Sequence, residues 1–180
     1  TTLCLLRFLV AKKRITIITH SLGALSEAAK YDNLNIISLG GIYSPTTDSF
    51  VGLSTIEALS TMRINKAFMG ATGVSLTAGM TNTTFPEAAL KRAVVQRADH
   101  IYGMADSSKI GTEAIGPFSP LRALTGFITA REPPKDYVDL CRQATVKFRD
   151  ILAAVTTPTH RSSTRVLTSF TPVHALFTGI

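Results

Sequence analysis

The stretch "HIYGMADSSKIG", residues 100–111, combines an apolar run with an abrupt polar end. Residues 101–105 contain no charge, which is typical of a strand buried on both faces of a parallel sheet. An acid, two hydroxyls and a lysine follow at 106–109. Such residues either simply end a strand or point at a ligand beyond its carboxyl end. The rest of the chain has to separate these two interpretations.

Four further apolar runs have the same character, and helical patterns alternate with them. The runs are "RITIITH" (14–20), "LNIISLGG" (34–41), "INKAFMGATG" (64–73) and "ALTGFIT" (123–129). Helices are predicted over 21–31, 51–62, 85–98 and 133–144, with an amphipathic helix over 1–14. Alternating strands and helices predict an α/β domain, a mostly parallel sheet with helices on both faces. We expect one domain over 1–150 and an irregular or partly disordered tail over 151–180, which is rich in Thr, Ser and Pro.

Composition agrees with a single folded domain. The chain has 180 residues, 45% of them hydrophobic and 17% charged. The net charge of +7 comes from scattered basic residues without interleaved aromatics, so we interpret it as solvated surface and not as a nucleic-acid site. No apolar run approaches the roughly 20 residues that span a bilayer. Cys4 and Cys141 lie far apart, which suits a reducing compartment, and we expect a cytoplasmic protein.

Polar residues at four strand ends form the candidate site. These are "THS" at 19–21, "GG" at 40–41, "GATG" at 70–73 and "DSSKIG" at 106–111. Glycines let backbone N–H groups approach a phosphate, a lysine supplies a charge, and hydroxyls donate to and accept from sugars. The set predicts a small polar anion such as a phosphorylated sugar.

Each of these residues also has a purely structural interpretation. Gly40 and Gly41 would form a turn, His20 would cap or pack, and Lys109 would be solvated. Glu87 and Lys91 would form an exposed i,i+4 ion pair. The four histidines have no neighbours at metal-ligand spacing, and no nucleotide-binding or hydrolase motif occurs. We therefore expect no metal, no cofactor and no catalytic residue.

The motifs together resemble the C-terminal effector-sensing domain of the DeoR family of bacterial transcriptional regulators. "TTL" at 1–3 is similar to the end of that family's Asp-Ser-Gly-Thr-Thr-Thr phosphate loop, and "ITIITHS" to its strand ending in Thr-Asn-Ser. "IISLGGIYSPTTDSFVG" matches its Leu-Gly-Gly segment. The most specific pieces are "NKAFMGATGVSLTAGMTNTTFPEAALKRA" and "MADSSKIG". The resemblance covers about residues 1–140.

The resemblance implies a fold related to ribose-5-phosphate isomerase and CoA-transferase-like proteins, used here to sense a phosphorylated sugar or related metabolite. It implies a repressor of carbohydrate catabolism that is a homo-oligomer, does not enter a membrane, and binds DNA only through a helix-turn-helix absent from this chain. The sensor domain would be truncated within its phosphate loop. The implied ligand-binding residues are Thr1, Thr2, Thr19, His20, Ser21, Gly40, Gly41, Thr72, Gly73, Glu87, Lys91, Asp106 and Lys109.

Two positions depart from the family pattern. His20 stands where asparagine is usual, which would alter ligand preference. Thr72 stands where an acid is common, whereas an isomerase would need a carboxylate base there. Glu87 is the candidate for a substitute base, so a sugar-phosphate isomerase on the same fold is the alternative to the sensor. A domain whose ligand loop is too damaged to bind is a third.

Overall fold

The computed structural model describes residues 5–6, 15–150 and 173–178, the backbone alone for 148–150 and 173–178. Strands in these parts are numbered in chain order. They are β1 (Ile15–Thr19), β2 (Asn35–Ser38), β3 (Ile42–Ser44), β4 (Ser49–Val51), β5 (Ile64–Gly70), β6 (Gly73–Ser75), β7 (Gly79–Asn82), β8 (Ala98–Ala105), β9 (Gly116–Ser119), β10 (Gly126–Thr129), β11 (Lys147–Asp150) and β12 (Val173–Thr178). The helices are α1 (Leu22–Ala28), α2 (Leu53–Ser60), α3 (Phe85–Arg97) and α4 (Lys135–Gln143), with 3₁₀ turns at Ser107–Lys109 and Leu121–Ala123.

A seven-stranded sheet in the order β11-β10-β8-β5-β12-β1-β2 forms the centre of the fold. Every neighbouring pair in it is parallel. The five apolar runs supply β1, β2, β5, β8 and β10, so the predicted parallel sheet is confirmed. All carboxyl ends of a parallel sheet lie at one edge. The polar residues that follow these strands therefore emerge on the same side of the domain.

Helices cover both faces of this sheet, as predicted. On one face, Ile15, Ile17 and Phe68 pack with Ala24 and Ala28 of α1. The opposite face carries the larger core, in which sheet residues pack with the other three helices; it includes Ile18, Ala67, Met69, Phe127, Leu59, Val94 and Tyr137. Alternate strand residues point to opposite faces, which is why Ile17 and Ile18 belong to different cores.

Two small antiparallel sheets stand beside the central one. β3 and β4 form a hairpin, and β6, β7 and β9 form a three-stranded sheet. The run predicted as one strand over 64–73 is in fact divided: β5 ends at Gly70, and β6 begins at Gly73 after a two-residue break. The strands of the three-stranded sheet read GVS, GMTN and GPFS, so each has at most two large apolar residues and no apolar run that would predict it.

The helical predictions are confirmed for α1 to α4, whose bounds lie inside the predicted segments. The Ser21 hydroxyl accepts the N–H of Ala24 at 3.3 Å and so caps α1. Of the helix predicted over 1–14, the described residues are Leu5 and Leu6, which are helical and buried. No helix in the described part of the chain is long and apolar enough to cross a membrane.

The tail prediction needs a correction for six residues. Val173–Thr178 form β12, which pairs with β1 on one side and β5 on the other. A strand without charged residues that gains two parallel neighbours satisfies its backbone groups on both edges, which favours order over an irregular conformation. The other residues of 151–180, like Cys4, lie outside the described residues. Cys141 is a buried free thiol, and burial raises its pKa.

Candidate functional site

The candidate site lies at the carboxyl edge of the central sheet, where β1, β5 and β8 end. β5 pairs directly with β8, while β12 lies between β5 and β1. The residues that continue from these ends are His20 after β1, Thr72 after β5 and Asp106 after β8. α3 leads to the start of β8, and its first turns lie near the end of β5, where Lys91 donates to Gly70 O. It adds Glu87 and Lys91 from one face, since residues four apart lie one turn above each other.

Glu87 and Lys91 form a fully buried ion pair, so the interpretation as an exposed pair is wrong. Their side chains are 0% exposed, and Lys91 Nζ lies 3.1 Å from Glu87 Oε1. The same ammonium group donates to Gly70 O at 2.9 Å and to Asn82 Oδ1 at 3.1 Å. Burial lowers the pKa of Lys91, and the Glu87 carboxylate opposes that shift. Three acceptors surround the three protons of Lys91, so its ammonium group holds the acceptors of Glu87, Gly70 and Asn82 in place.

His20 is buried beside this pair and is uncharged at neutral pH. Its Nε2 lies 4.0 Å from Glu87 Oε1, which is too far for a hydrogen bond. Burial, followed by the charge of Lys91, lowers the pKa of His20 to about 3. Neither ring nitrogen has a hydrogen-bond partner among the described residues, and the same holds for Glu87 Oε2 and Asn82 Nδ2.

Asn82 belongs to this cluster although the sequence analysis did not select it. It is the last residue of β7, is fully buried, and accepts from Lys91 through Oδ1. The one sequence signal was a polar residue just before α3, in "TNTTFPEAA". That signal is weak because β7, with the sequence GMTN, has no apolar run that would predict a strand there.

The 3₁₀ turn after β8 brings Lys109 to the outer part of the site. The Asp106 carboxylate accepts the Ser108 N–H at 3.0 Å and the Ser108 hydroxyl, and the latter hydrogen bond does most to lower the pKa of Asp106. Asp106 and Ser108 therefore shape the turn. Lys109 is 25% exposed, and its Nζ lies 3.9 Å from Asp106 Oδ2. Its ammonium group retains hydrogen-bonding capacity toward solvent or a ligand.

The loop that carries Lys109 is anchored to the small β6-β7-β9 sheet. Gly111 donates its N–H to Val74 O at 2.8 Å, and Ile110 bridges Val74 in a parallel arrangement. The Lys109 charge also acts on Lys91, whose pKa it depresses slightly beyond the effect of burial. Two cations thus converge on this edge, one buried and paired, the other partly exposed.

The remaining predicted residues have defined local roles. Thr72 donates its N–H to Thr81 O at 2.9 Å, and its hydroxyl accepts from Thr83 at 3.2 Å. Gly73 is packed so closely that a Cβ there would lie 2.6 Å from Thr112 O. Backbone approach of this kind requires glycine whether or not a ligand is bound.

Gly40 and Gly41 form the turn between β2 and β3. Their φ angles are +63° and +116°, in the region that favours glycine. A Cβ on Gly41 would lie 2.1 Å from Thr55 Oγ1, and that hydroxyl donates to Gly40 O at 2.8 Å. The structural interpretation of this pair as a turn is therefore supported, whereas its role toward a ligand stays a prediction.

Thr19 and Ser21 lie at the end of β1, both buried. Ser21 donates its N–H to Thr19 Oγ1 at 3.2 Å, and its own hydroxyl caps α1. Thr1 and Thr2 lie outside the described residues. Thus the structure brings together His20, Glu87 and Lys91 directly. The charge of Lys109 acts on Lys91, and Asp106 lies beside Lys109.

In open α/β sheets the carboxyl edge is where ligands bind, and in this domain that edge gathers a buried ion pair and a partly exposed lysine. Residues 1–131 match the family described as the DeoR C-terminal sensor domain, and the chain belongs to this family. The resemblance seen in the motifs is thereby confirmed, and so is the fold class.

Curated relatives agree with this assignment. The chain is 35% identical over 143 residues to the HTH-type transcriptional regulator IolR of Bacillus subtilis, which covers 79% of this chain and 57% of that protein. It is 30% identical over 125 residues to the HTH-type transcriptional repressor GlcR of the same species, covering 69% and 48%. It is 32% identical over 117 residues to the lactose phosphotransferase system repressor of Staphylococcus epidermidis, covering 64% and 46%. The chain spans about half the length of the curated relatives it matches.

The family and these relatives are transcriptional regulators. The chain is therefore an effector-binding sensor domain and not an enzyme, which decides against the isomerase alternative. Among the described residues, no three His, Cys, Asp or Glu side chains come together as a metal site.

Proposed function

We propose that this domain senses a phosphorylated sugar, or a related anionic metabolite, at the carboxyl edge of its parallel sheet. The observation that carries the proposal is the placement of Lys109 on a turn anchored by Gly111, partly exposed and near enough to the buried Lys91 for its charge to lower the pKa of Lys91. A partly exposed ammonium group next to a second cation attracts an anion, and the desolvated surroundings strengthen the contact.

The relatives support a sugar as the organic part. One is named a lactose phosphotransferase system repressor, and another, from Haemophilus influenzae, is named an L-fucose operon activator. By analogy, the whole protein represses genes of carbohydrate catabolism in the cytoplasm, as a homo-oligomer. DNA binding then resides in a helix-turn-helix outside this chain, as the HTH-type names of the relatives suggest.

A thermal-shift panel tests ligand class. Phosphorylated sugars are expected to raise the unfolding midpoint, whereas the corresponding free sugars are not. A ligand at about 100 times its Kd adds about 2.7 kcal/mol of stability, which is readily measured. A well-folded sample that responds to no phosphorylated sugar contradicts the proposal and supports the alternative of a domain with a damaged ligand loop.

Lys109→Ala tests the anion contact itself. A charge-assisted contact contributes roughly 1.5–3 kcal/mol, so affinity should fall by about tenfold to a hundredfold. Folding should change by no more than about 0.5 kcal/mol, because the side chain is partly exposed. The matched control is Lys135→Ala, which removes an exposed lysine from the start of α4. Equal affinities of wild type and Lys109→Ala in titration calorimetry would show that Lys109 is only a solvated lysine.

A further inference from the structure

Three buried side chains at the site carry polar atoms that no described residue satisfies. They are both ring nitrogens of His20, Nδ2 of Asn82 and Oε2 of Glu87. All three residues are 0% exposed. Buried polar atoms in folded proteins are nearly always hydrogen-bonded, and each exception calls for a physical explanation. Three exceptions within one cluster at a ligand-binding edge point to a bound group that completes them.

Their donor and acceptor properties define the chemistry of that group. Glu87 Oε2 accepts, Asn82 Nδ2 donates, and a neutral imidazole does one through each nitrogen. Because His20 has a pKa near 3, it is neutral and offers both. A hydroxyl group donates and accepts simultaneously, so adjacent hydroxyls can satisfy this set. A phosphate cannot, because its charge would face the Glu87 carboxylate.

Lys91 orients the side chains of Glu87 and Asn82. It holds Oε1 of Glu87 at 3.1 Å and Oδ1 of Asn82 at 3.1 Å, leaving the second polar atom of each side chain for another partner. Both residues are thus oriented by one buried ammonium group. Lys91 is in this sense a positioning residue.

We propose that His20, Asn82 and Glu87 form a hydroxyl subsite that reads the sugar part of the ligand, with His20 as the residue that sets specificity. The inference rests on the proposed function, since the anionic end of the same ligand contacts Lys109. The ligand is therefore bound with a fixed polarity, hydroxyls inward and anion outward. A small phosphate without a polyol does not fill the site.

The test uses the 180-residue chain and titration calorimetry. The probes are glucose 6-phosphate with its 2-deoxy and 3-deoxy analogues, ribose 5-phosphate with 2-deoxyribose 5-phosphate, and inorganic phosphate. At least one sugar phosphate should bind at least about tenfold more tightly than its deoxy analogue and than inorganic phosphate, because a site built to bind a hydroxyl rejects a ligand that lacks it.

Variants separate the two ends of the site. His20→Leu should reduce the ratio of the affinities for the sugar phosphate and for its deoxy analogue to about one. It should leave the weak binding of inorganic phosphate unchanged. Lys109→Ala should weaken all phosphate esters alike and keep the preference. His100→Leu, at an exposed histidine in β8, is the matched control and should change neither. If His20→Leu does not fold by circular dichroism, the wild-type comparison of sugar and deoxy sugar decides.

The outcomes distinguish this inference from the proposed function. Equal binding of every sugar phosphate, its deoxy analogue and inorganic phosphate would overturn the hydroxyl subsite and leave the anion sensor standing. An unchanged preference in folded His20→Leu would likewise overturn the role of His20. Absence of binding by all the esters at millimolar concentration would overturn the proposed function, and this inference with it.

Discussion

Replacing Lys91 by methionine should destabilise the domain more strongly than most single substitutions. Methionine has a similar length, so packing is largely kept while the ammonium group is lost. Glu87 then keeps its carboxylate, 0% exposed, without the charge that lay 3.1 Å away. Gly70 O and Asn82 Oδ1 each lose a hydrogen bond donated by Lys91.

The magnitude follows from these losses. Removing one partner of a buried ion pair costs about 3–5 kcal/mol. The hydrogen bonds lost by the two buried acceptors add about 1–3 kcal/mol each where no water replaces them. A loss of at least about 3 kcal/mol is a large share of a domain stability of about 5–15 kcal/mol.

The double variant Glu87→Gln, Lys91→Met gives the sharper expectation. It removes the isolated carboxylate charge, so it should be more stable than Lys91→Met alone, although it carries one more substitution. The interaction energy of the two positions, obtained by subtracting the effects of both single variants from that of the double variant, should lie in the range of about 0.5–3 kcal/mol that contacting residues show. Independent sites would instead make the double variant less stable than either single variant.

Urea unfolding followed by circular dichroism measures these differences from shifts of the midpoint at constant slope. Lys30→Met is the control: Lys30 Nζ lies 2.6 Å from Glu27 Oε2, but the lysine side chain is 64% exposed. An exposed pair of this kind contributes about 0–1 kcal/mol. A Lys91→Met variant that is no less stable than Lys30→Met would contradict a stabilising buried pair, and so would a Glu87→Gln substitution that recovers no stability in the Lys91→Met background.

Three further predictions concern His20, the glycine turn and β12. Folded His20 has a pKa of about 3 against an ordinary value of 6.5, so its stabilising effect is present above pH 6.5 and is lost on acidification toward pH 3. The loss should be about 1.4 kcal/mol per pH unit, and urea midpoints of His20→Asn should lack this slope. Gly41→Ala should be clearly more destabilising than Gly40→Ala, because a Cβ on Gly41 meets Thr55 at 2.1 Å while nothing lies within 4 Å of one on Gly40; equal thermal midpoints would contradict this. Ala175→Pro should abolish cooperative unfolding, since proline removes a ladder hydrogen bond from a strand between two neighbours. The control Ala175→Gly should cost about 1 kcal/mol of stability. A fully folded Ala175→Pro variant would rule out the central position of β12.

Local patterns in the sequence predicted most of the secondary structure. The five apolar runs became strands of one parallel sheet, and the four helical segments became α1 to α4 within a few residues. Such patterns are readable because strand and helix periods repeat within about ten residues. The strands β6, β7 and β9 were not predicted because GVS, GMTN and GPFS contain too few apolar residues to form a recognisable run.

The position of the candidate site was also predictable. A parallel sheet brings its carboxyl ends to one edge, so His20 and Asp106 were expected at the same edge as soon as both followed strands. The motif "MADSSKIG", which contains Lys109, was one of the most specific pieces of the family resemblance. The sequence pattern placed Asp106 at a strand end but did not predict its hydrogen-bond partner. Its carboxylate accepts the Ser108 N–H and so shapes the turn.

Burial was decided by the tertiary structure alone. A glutamate and a lysine four residues apart have the same sequence pattern on an exposed helix as on a buried one. Glu87 and Lys91 are buried because α3 packs over the end of β5, where Gly70 and Asn82 supply the acceptors for Lys91. These acceptors come from segments 21 and 9 residues away along the chain, so no local window contains the site.

The central place of β12 likewise depends on long-range pairing. Val173–Thr178 lie more than 150 residues beyond β1 in the sequence but are hydrogen-bonded beside it. Composition indicated an irregular tail, since its Thr, Ser and Pro content has no period. A strand's backbone groups are satisfied by whichever strands flank it, and the sequence of the strand does not specify those neighbours. The sequence by itself therefore determined five strands of the central sheet, the four helices and the edge at which the polar residues collect, whereas only the tertiary structure decided which charges are buried together and which strand completes the sheet.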